Sequence, residues 1–490
     1  MMRLQHRAVR WLPLLVAAAV AGGPAAAEEA KAPAKIPVTA KSDEARTLYL
    51  QGRDLAEKLR GTDARGYFEK AVAKDADFAL AHLGLANTAP SNKAFFDALD
   101  QAVALAGKVS EPERHMILGF NAGVRSDPAQ QQAHYEKLVA AYPRDERAFN
   151  LLGTYHFGRQ EYEQAIAAYE KALAAAPGFS PVYNQLGYAY RFLGRYDEAE
   201  KTFKKYTELI PDDPNPHDSY AELLMKRGRF DESIRSYERA LQADSNFVAS
   251  YVGIGVNQIY LGQPAKARET FARLEKAART SGERRQALAN AARSYVHEGA
   301  WDEALASIGK MSAAAEAGDK AALAGDASFM GNVLLEAGRP DEAAAKFARG
   351  RELMKEADVP AEVKAAAERN YLASEARLAL AKGDLATARA RALAYAEAAA
   401  ERKVPFEVRQ SHEIAGLLAL QAKDYAKAAA ELEQANQQDP RVLFHKARAY
   451  QGKGDAAAAK EACRQAAENH TLAFNNAYVR DKARKLLATL

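Results

Sequence analysis

The stretch PDDPNPHDS, Pro211 to Ser219, gathers Asp212, Asp213, His217 and Asp218 and could build a metal site from carboxylates and an imidazole. Its surroundings argue for another use. It falls between the proline that ends one amphipathic pattern and the start of the next, where Pro and Asp make turns and helix caps, and no ligand set completes it elsewhere. GIGVNQ, Gly253 to Gln258, holds two of the three glycines of a dinucleotide fingerprint, but it follows no strand and lies inside a helical period, so packing glycines are expected. His412, His445 and His470 are scattered without zinc-protease spacing. Cys463, the only cysteine, has no intramolecular disulfide partner and takes an apolar core position, where an inert buried thiol is expected. With no Ser, His and acid arrangement recognisable by motif, no catalytic residue, metal or cofactor is assigned, and a non-enzyme is expected.

Among 490 residues, 48% are hydrophobic and 27% charged, the composition of a folded soluble chain long enough for several domains or one repeat array. Residues 1–27 have a secretory layout: Arg3, Arg7 and Arg10, the apolar run WLPLLVAAAVAGG, then Ala25, Ala26 and Ala27. Cleavage after Ala27 and a periplasmic or secreted destination are expected, without stable membrane insertion afterwards, since the run is short for a span and contains Pro13. Losing this segment removes three arginines and no acid, so the formal charge falls from +4 to +1 and nucleic acid is not an expected partner. Residues 28–41, rich in Pro, Ala and charge, are expected to form a flexible tether.

Gly119, Gly153, Gly187, Ala221 and Gly255 recur at one constant interval along the chain. Around Gly187, the spacing of Tyr183, Leu186 and Tyr190 defines one helical face, and Ala199, Phe203 and Tyr206 define the face of a second helix, with Gly194 in the turn and Pro211 at the end. The preceding copy repeats the device with Phe149, Leu152, Gly153, Tyr162, Ala165, Tyr169, Ala172 and Pro177. This pattern, with its period of about 34 residues, resembles the tetratricopeptide repeat family, with His156 where that family usually has Tyr. Looser copies follow at Gly299, Gly338 and Gly383, then around Ala428 and Ala459, while Gly52 and Gly84 mark two divergent ones.

The resemblance covers roughly residues 42–490 and implies an all-α chain, an α-solenoid (right-handed superhelix) of about 10–12 helix-turn-helix units with a C-terminal closing helix. The units divide into divergent ones at 42–112, a regular superhelix at 113–277, less regular ones at 284–470, and a closing helix at 471–490.

Such a superhelix offers a concave groove lined by first helices, and helix geometry assigns its lining in the regular units: Asn150, Leu151, Thr154 and Phe157, then Asn184, Gln185, Tyr188 and Arg191, then Asp218, Ser219, Glu222 and Met225. Amides there can hydrogen-bond a peptide backbone and Arg191 can pair a carboxylate. The lysines of the family's carboxylate clamp are absent, so an internal segment of a protein is the expected ligand. The equivalent places in later units are Asn290, Arg293, Asn332 and Arg377. The implied function is a non-catalytic scaffold that binds a peptide or protein partner in the cell envelope. The alternative is a regulatory or substrate-holding subunit of an envelope enzyme complex whose catalytic chain is separate.

Overall fold

In the regular part of the chain, first helices begin at Glu146, Ser180, Pro214 and Val248, and second helices at Tyr162, Tyr196, Phe230 and Pro264, each series stepping by the same constant interval. The computed structural model describes residues 35–490, so the signal segment expected at 1–27 lies outside the described residues. Among the described residues there are 25 α-helices and no strand. They form twelve consecutive helical hairpins, from Asp43–Glu57 with Gly61–Lys74 to Pro440–Lys453 with Ala456–Ala467, and a last helix, Asn476–Leu487. None of these helices is long and apolar enough to cross a membrane.

Several hairpins close because a small residue on the first helix lets an aromatic ring of the second lie against its backbone, and at Gly416 the side chain is Leu432. A Cβ added at Gly187 would stand 2.5 Å from Phe203 Cε1, and one at Gly153 would stand 2.4 Å from Tyr169 Cε1. Phe203 and Tyr169 are fully buried. Gly255 does the same against Phe271, and Gly253 admits Tyr237 of the preceding hairpin, which makes both packing glycines. Gly187→Leu should therefore cost about 1–3 kcal/mol or more by overpacking, read as a lower urea midpoint with an unchanged helical spectrum at low denaturant. At the PDDPNPHDS stretch, Asp213 caps the helix Pro214–Lys226 by accepting the Asn215 N–H at 3.1 Å. Cys463 is buried and its thiol donates to the Ala483 carbonyl at 3.0 Å, with burial pushing its pKa up.

Two segments depart from the repeat pattern. Residues 35–41, expected within a flexible tether, instead run extended past two inter-hairpin loops and the first turn of the helix Glu111–Val124. The Ile36, Thr39 and Lys41 N–H groups donate to Asp145 at 2.8 Å, Glu113 at 2.7 Å and Asp75 at 2.7 Å. Ile36, Val38 and Ala40 turn inward while Lys35, Pro37, Thr39 and Lys41 face solvent, the two-residue alternation of an extended strand. Lys35 pairs with Glu146, and Lys41 with Asp77.

The second departure is the curl of the array onto itself. Thr62 donates to Glu283 at 3.0 Å, Arg125 pairs with Glu362 at 3.2 Å, and Gln160 donates to Asn436 at 3.2 Å, so hairpins widely separated in the chain touch. The chain end goes further. Tyr478 and Val479 are buried in one cluster with Leu288, Val296, Ile308 and Val333, and Leu472 packs on Met225 and Val256. The closing segment therefore covers the last hairpin and also fills the inner face of the middle ones.

Candidate functional site

The sequence places a polar row on the first helices of the regular hairpins, and the structure keeps it on one face but turns it inward upon itself. Ser219 Oγ donates to Asn184 Oδ1 at 2.8 Å, and Ser250 Oγ donates to Asp218 Oδ1 at 2.7 Å. Tyr188 OH donates to Glu222 Oε1 at 2.9 Å, while Arg191 Nη1 pairs with Glu222 Oε2 at 3.3 Å. Partners stand 31 to 35 residues apart, close to one repeat. Asn184, Arg191, Asp218, Ser219 and Met225 are buried; Asn150, Leu151, Phe157, Gln185, Tyr188 and Glu222 are half-buried; only Thr154 is exposed. The expectation that this whole set presents free groups to a ligand is thus corrected. A donor on one first helix meets an acceptor on the next at hydrogen-bonding distance, and each such pair satisfies groups that burial would otherwise leave unpaired. Burial, followed by the neighbouring Glu222 charge, pushes the Asp218 carboxyl up to about 8.

The later units are arranged differently. Their first helices are longer, 17 residues at Lys320–Glu336 and 22 at Ala361–Lys382, and they leave a cavity of about 470 Å³ against the closing segment. Phe329 and Asn332 come from the first of these helices, Arg377 from the second, Phe406 and Gln410 from Pro405–Gln421, Arg441 from Pro440–Lys453, and Phe474 and Tyr478 from the closing segment. A neighbouring cavity of about 300 Å³ is also lined by Asn332, Arg377 and Gln410, so these three side chains border both chambers.

Two of the equivalent positions named from the sequence, Asn332 and Arg377, therefore line the larger chamber. The other two do not: Asn290 bonds back to the Gln286 carbonyl at 2.8 Å, and the Arg293 guanidinium lies over the Phe474 ring at 5.5 Å, with burial pushing its pKa down to about 10. Inside the chamber the Arg377 Nε has no hydrogen-bond partner, and its pKa is lowered by burial and then by the Arg441 charge. Arg441 stands 3.9 Å from Glu336 and 4.0 Å from Glu413, too far for a strong hydrogen bond, and its Nε is also unpartnered. Asp439 is already engaged, accepting from Asn475 at 2.7 Å. Phe406 is 61% exposed at the rim. His445 is neutral, its pKa pushed down to about 3 by burial, and His412 bonds Glu431 at 2.8 Å.

Sequence reading missed Phe329, Phe406, Gln410, Arg441, Phe474 and Tyr478. The first four lie on helical patterns whose looser period hides which face turns inward, and the last two belong to a segment whose docking place carries no repeat signal.

Four family models described as tetratricopeptide repeat match the chain, at residues 122–178, 156–223, 218–247 and 440–469. Among solved structures, a tetratricopeptide repeat protein from Parabacteroides merdae aligns with 15% identity over 56% of this chain and 95% of its own, with a TM-score of 0.36. MamA from Desulfovibrio magneticus aligns with 12% identity over 34% of this chain and 96% of its own, at 0.30. YrrB, described as a repeat protein of this type with an unusual peptide-binding site, aligns with 19% identity over 37% of this chain and 91% of its own, at 0.26. No curated protein sequence matches the chain significantly.

Proposed function

The chain carries tetratricopeptide repeats, and from that premise we propose that it is a non-catalytic scaffold of the cell envelope that captures a protein partner in the chamber of its C-terminal hairpins. The observation that carries this reading is Arg377, which lines a cavity of about 470 Å³ and makes no hydrogen bond or ion pair among the described residues, while Arg441 beside it reaches Glu336 and Glu413 only at 3.9 and 4.0 Å. Guanidinium groups held in a partly dry, aromatic-walled space favour a carboxylate attached to an apolar group, because each unpaired N–H gains a charged acceptor and the rings gain contact area. A peptide segment with an acidic residue next to a large apolar one meets both demands. The envelope location rests on the leader pattern of residues 1–27.

A photo-crosslinking residue placed at Phe406 in intact cells tests the reading. It should capture one partner from the envelope, on a chain whose mass begins at Glu28. With that partner purified, Arg377→Ala should weaken binding at least tenfold, about 1.4 kcal/mol, without lowering helical content. Efficient capture from position 154 or 185 and none from 406 would return the site to the regular hairpins. The second reading, a subunit holding substrate for a separate catalytic chain, is favoured if the captured partner is an enzyme whose activity changes on binding.

A further inference from the structure

A second cavity, of about 590 Å³, lies where the curl of the array brings its fifth and sixth hairpins against the last one. Its wall is polar and strongly one-sided in charge: Arg191, Lys226, Arg227 and Arg464 face it, against the single carboxylate of Glu468. Two of the cations are spent. Arg227 pairs with Glu200 at 2.9 Å, and Arg464 pairs with Glu461 at 2.8 Å and Glu468 at 3.1 Å. Arg191 is balanced by Glu222, and Lys226 alone is not. Lys226 makes no hydrogen bond or ion pair among the described residues, and Arg191, only 7% exposed, gives one nitrogen to Glu222 and leaves its buried Nε without a partner. Burial and the nearby Arg191 charge lower the Lys226 pKa to about 8. His470 completes the wall as a neutral ring, its pKa pushed down to about 4 by burial and then by Arg480, Lys226 and Arg484.

We propose that this cleft binds a phosphate-type oxyanion, free or as part of a small phosphorylated molecule, held by Lys226 with the Arg191 charge beside it on one side and enclosed by the Asn469–Thr471 loop on the other. Lys226 supplies a charge that no protein acceptor balances, and a phosphate offers several acceptor oxygens with two negative charges, where a single carboxylate offers two oxygens and one. The volume exceeds that of phosphate alone, which leaves room for an attached group against Phe192 and Leu443. Because one wall comes from the fifth and sixth hairpins and the other from the last, the ligand would fasten one turn of the array to the next. This site is separate from the peptide chamber and does not depend on it.

The test uses the full chain and inorganic phosphate or pyrophosphate at constant ionic strength. Calorimetric titration should show one site, the thermal midpoint should rise with ligand, and the Lys226 ammonium, followed by NMR after reductive methylation, should titrate at higher pH when ligand is bound. Lys226→Met should lose at least tenfold in affinity and Lys226→Arg should retain most of it. Flotation with phosphatidylglycerol vesicles distinguishes the sources. Lys226-dependent vesicle binding assigns a lipid headgroup, and a phosphate response without flotation assigns a free ligand. A response equalled by sodium chloride, one undiminished in Lys226→Met, or none with either phosphate or vesicles would overturn the proposal.

Discussion

Asp218→Asn is expected to stabilise the protein at pH 8 by on the order of 5 kcal/mol relative to the native chain, and to change it little at pH 4. The native carboxyl is 5% exposed, accepts the Ser250 hydroxyl at 2.7 Å, and stands one helical turn before Glu222. Burial first, and the Glu222 charge second, push it up to about 8, whereas the unfolded chain releases the same proton near the ordinary carboxylate value of about 3.9. Between those two values the folded state binds more protons than the unfolded state, so stability falls as pH rises, by about 1.4 kcal/mol per pH unit, and levels off above pH 8. Asn carries no proton to lose and fits the same space. Urea unfolding at pH 5 and pH 8 reads the difference, and hydrogen exchange localises it to residues 214–260. Parallel pH dependences in the two proteins would show that Asp218 is ionised in the fold.

Tyr478→Ala should cost about 3–5 kcal/mol, the range for removing a large buried ring. Tyr478 is 4% exposed, its ring centroid is 5.4 Å from that of Phe474, and it shares a core with Leu288, Val296, Ile308 and Val333. Because each hairpin of a repeat array is held mainly by its neighbours, the loss should be local. Exchange protection should fall across residues 281–336 and 476–487, while the hairpins between Asp43 and Val124 keep theirs. A loss below about 1 kcal/mol would mean that the last helix only covers the final hairpin and contributes little to the middle of the array.

The capping role of Asp213, the packing role of Gly187 and the inert position of Cys463 were all legible before any coordinates, because each depends on residues within about one repeat of itself. Helical period, a small residue opposite a ring, and a turn glycine recur at fixed offsets, so hairpins and their nearest-neighbour stacking follow from the sequence alone. Part of the candidate site came the same way: Asn332 and Arg377 were found by counting equivalent positions. The pairing of Asn184 with Ser219 was not, although the two sit one repeat apart. A polar side chain on a helix face has the same identity whether its partner is water, a peptide or the next helix, and only the distance between neighbouring first helices decides. Residues 35–41 show the same limit, since the alternation of Ile36, Val38 and Ala40 is short and the carboxylates that hold the backbone belong to three later hairpins. Hairpin type and order were thus determined by the sequence itself. Tertiary structure alone decided which concave surface stays open, because the curl that fills the middle of the groove and leaves the Arg377 chamber is set by contacts between hairpins far apart in the chain, and contacts that distant impose no period on it.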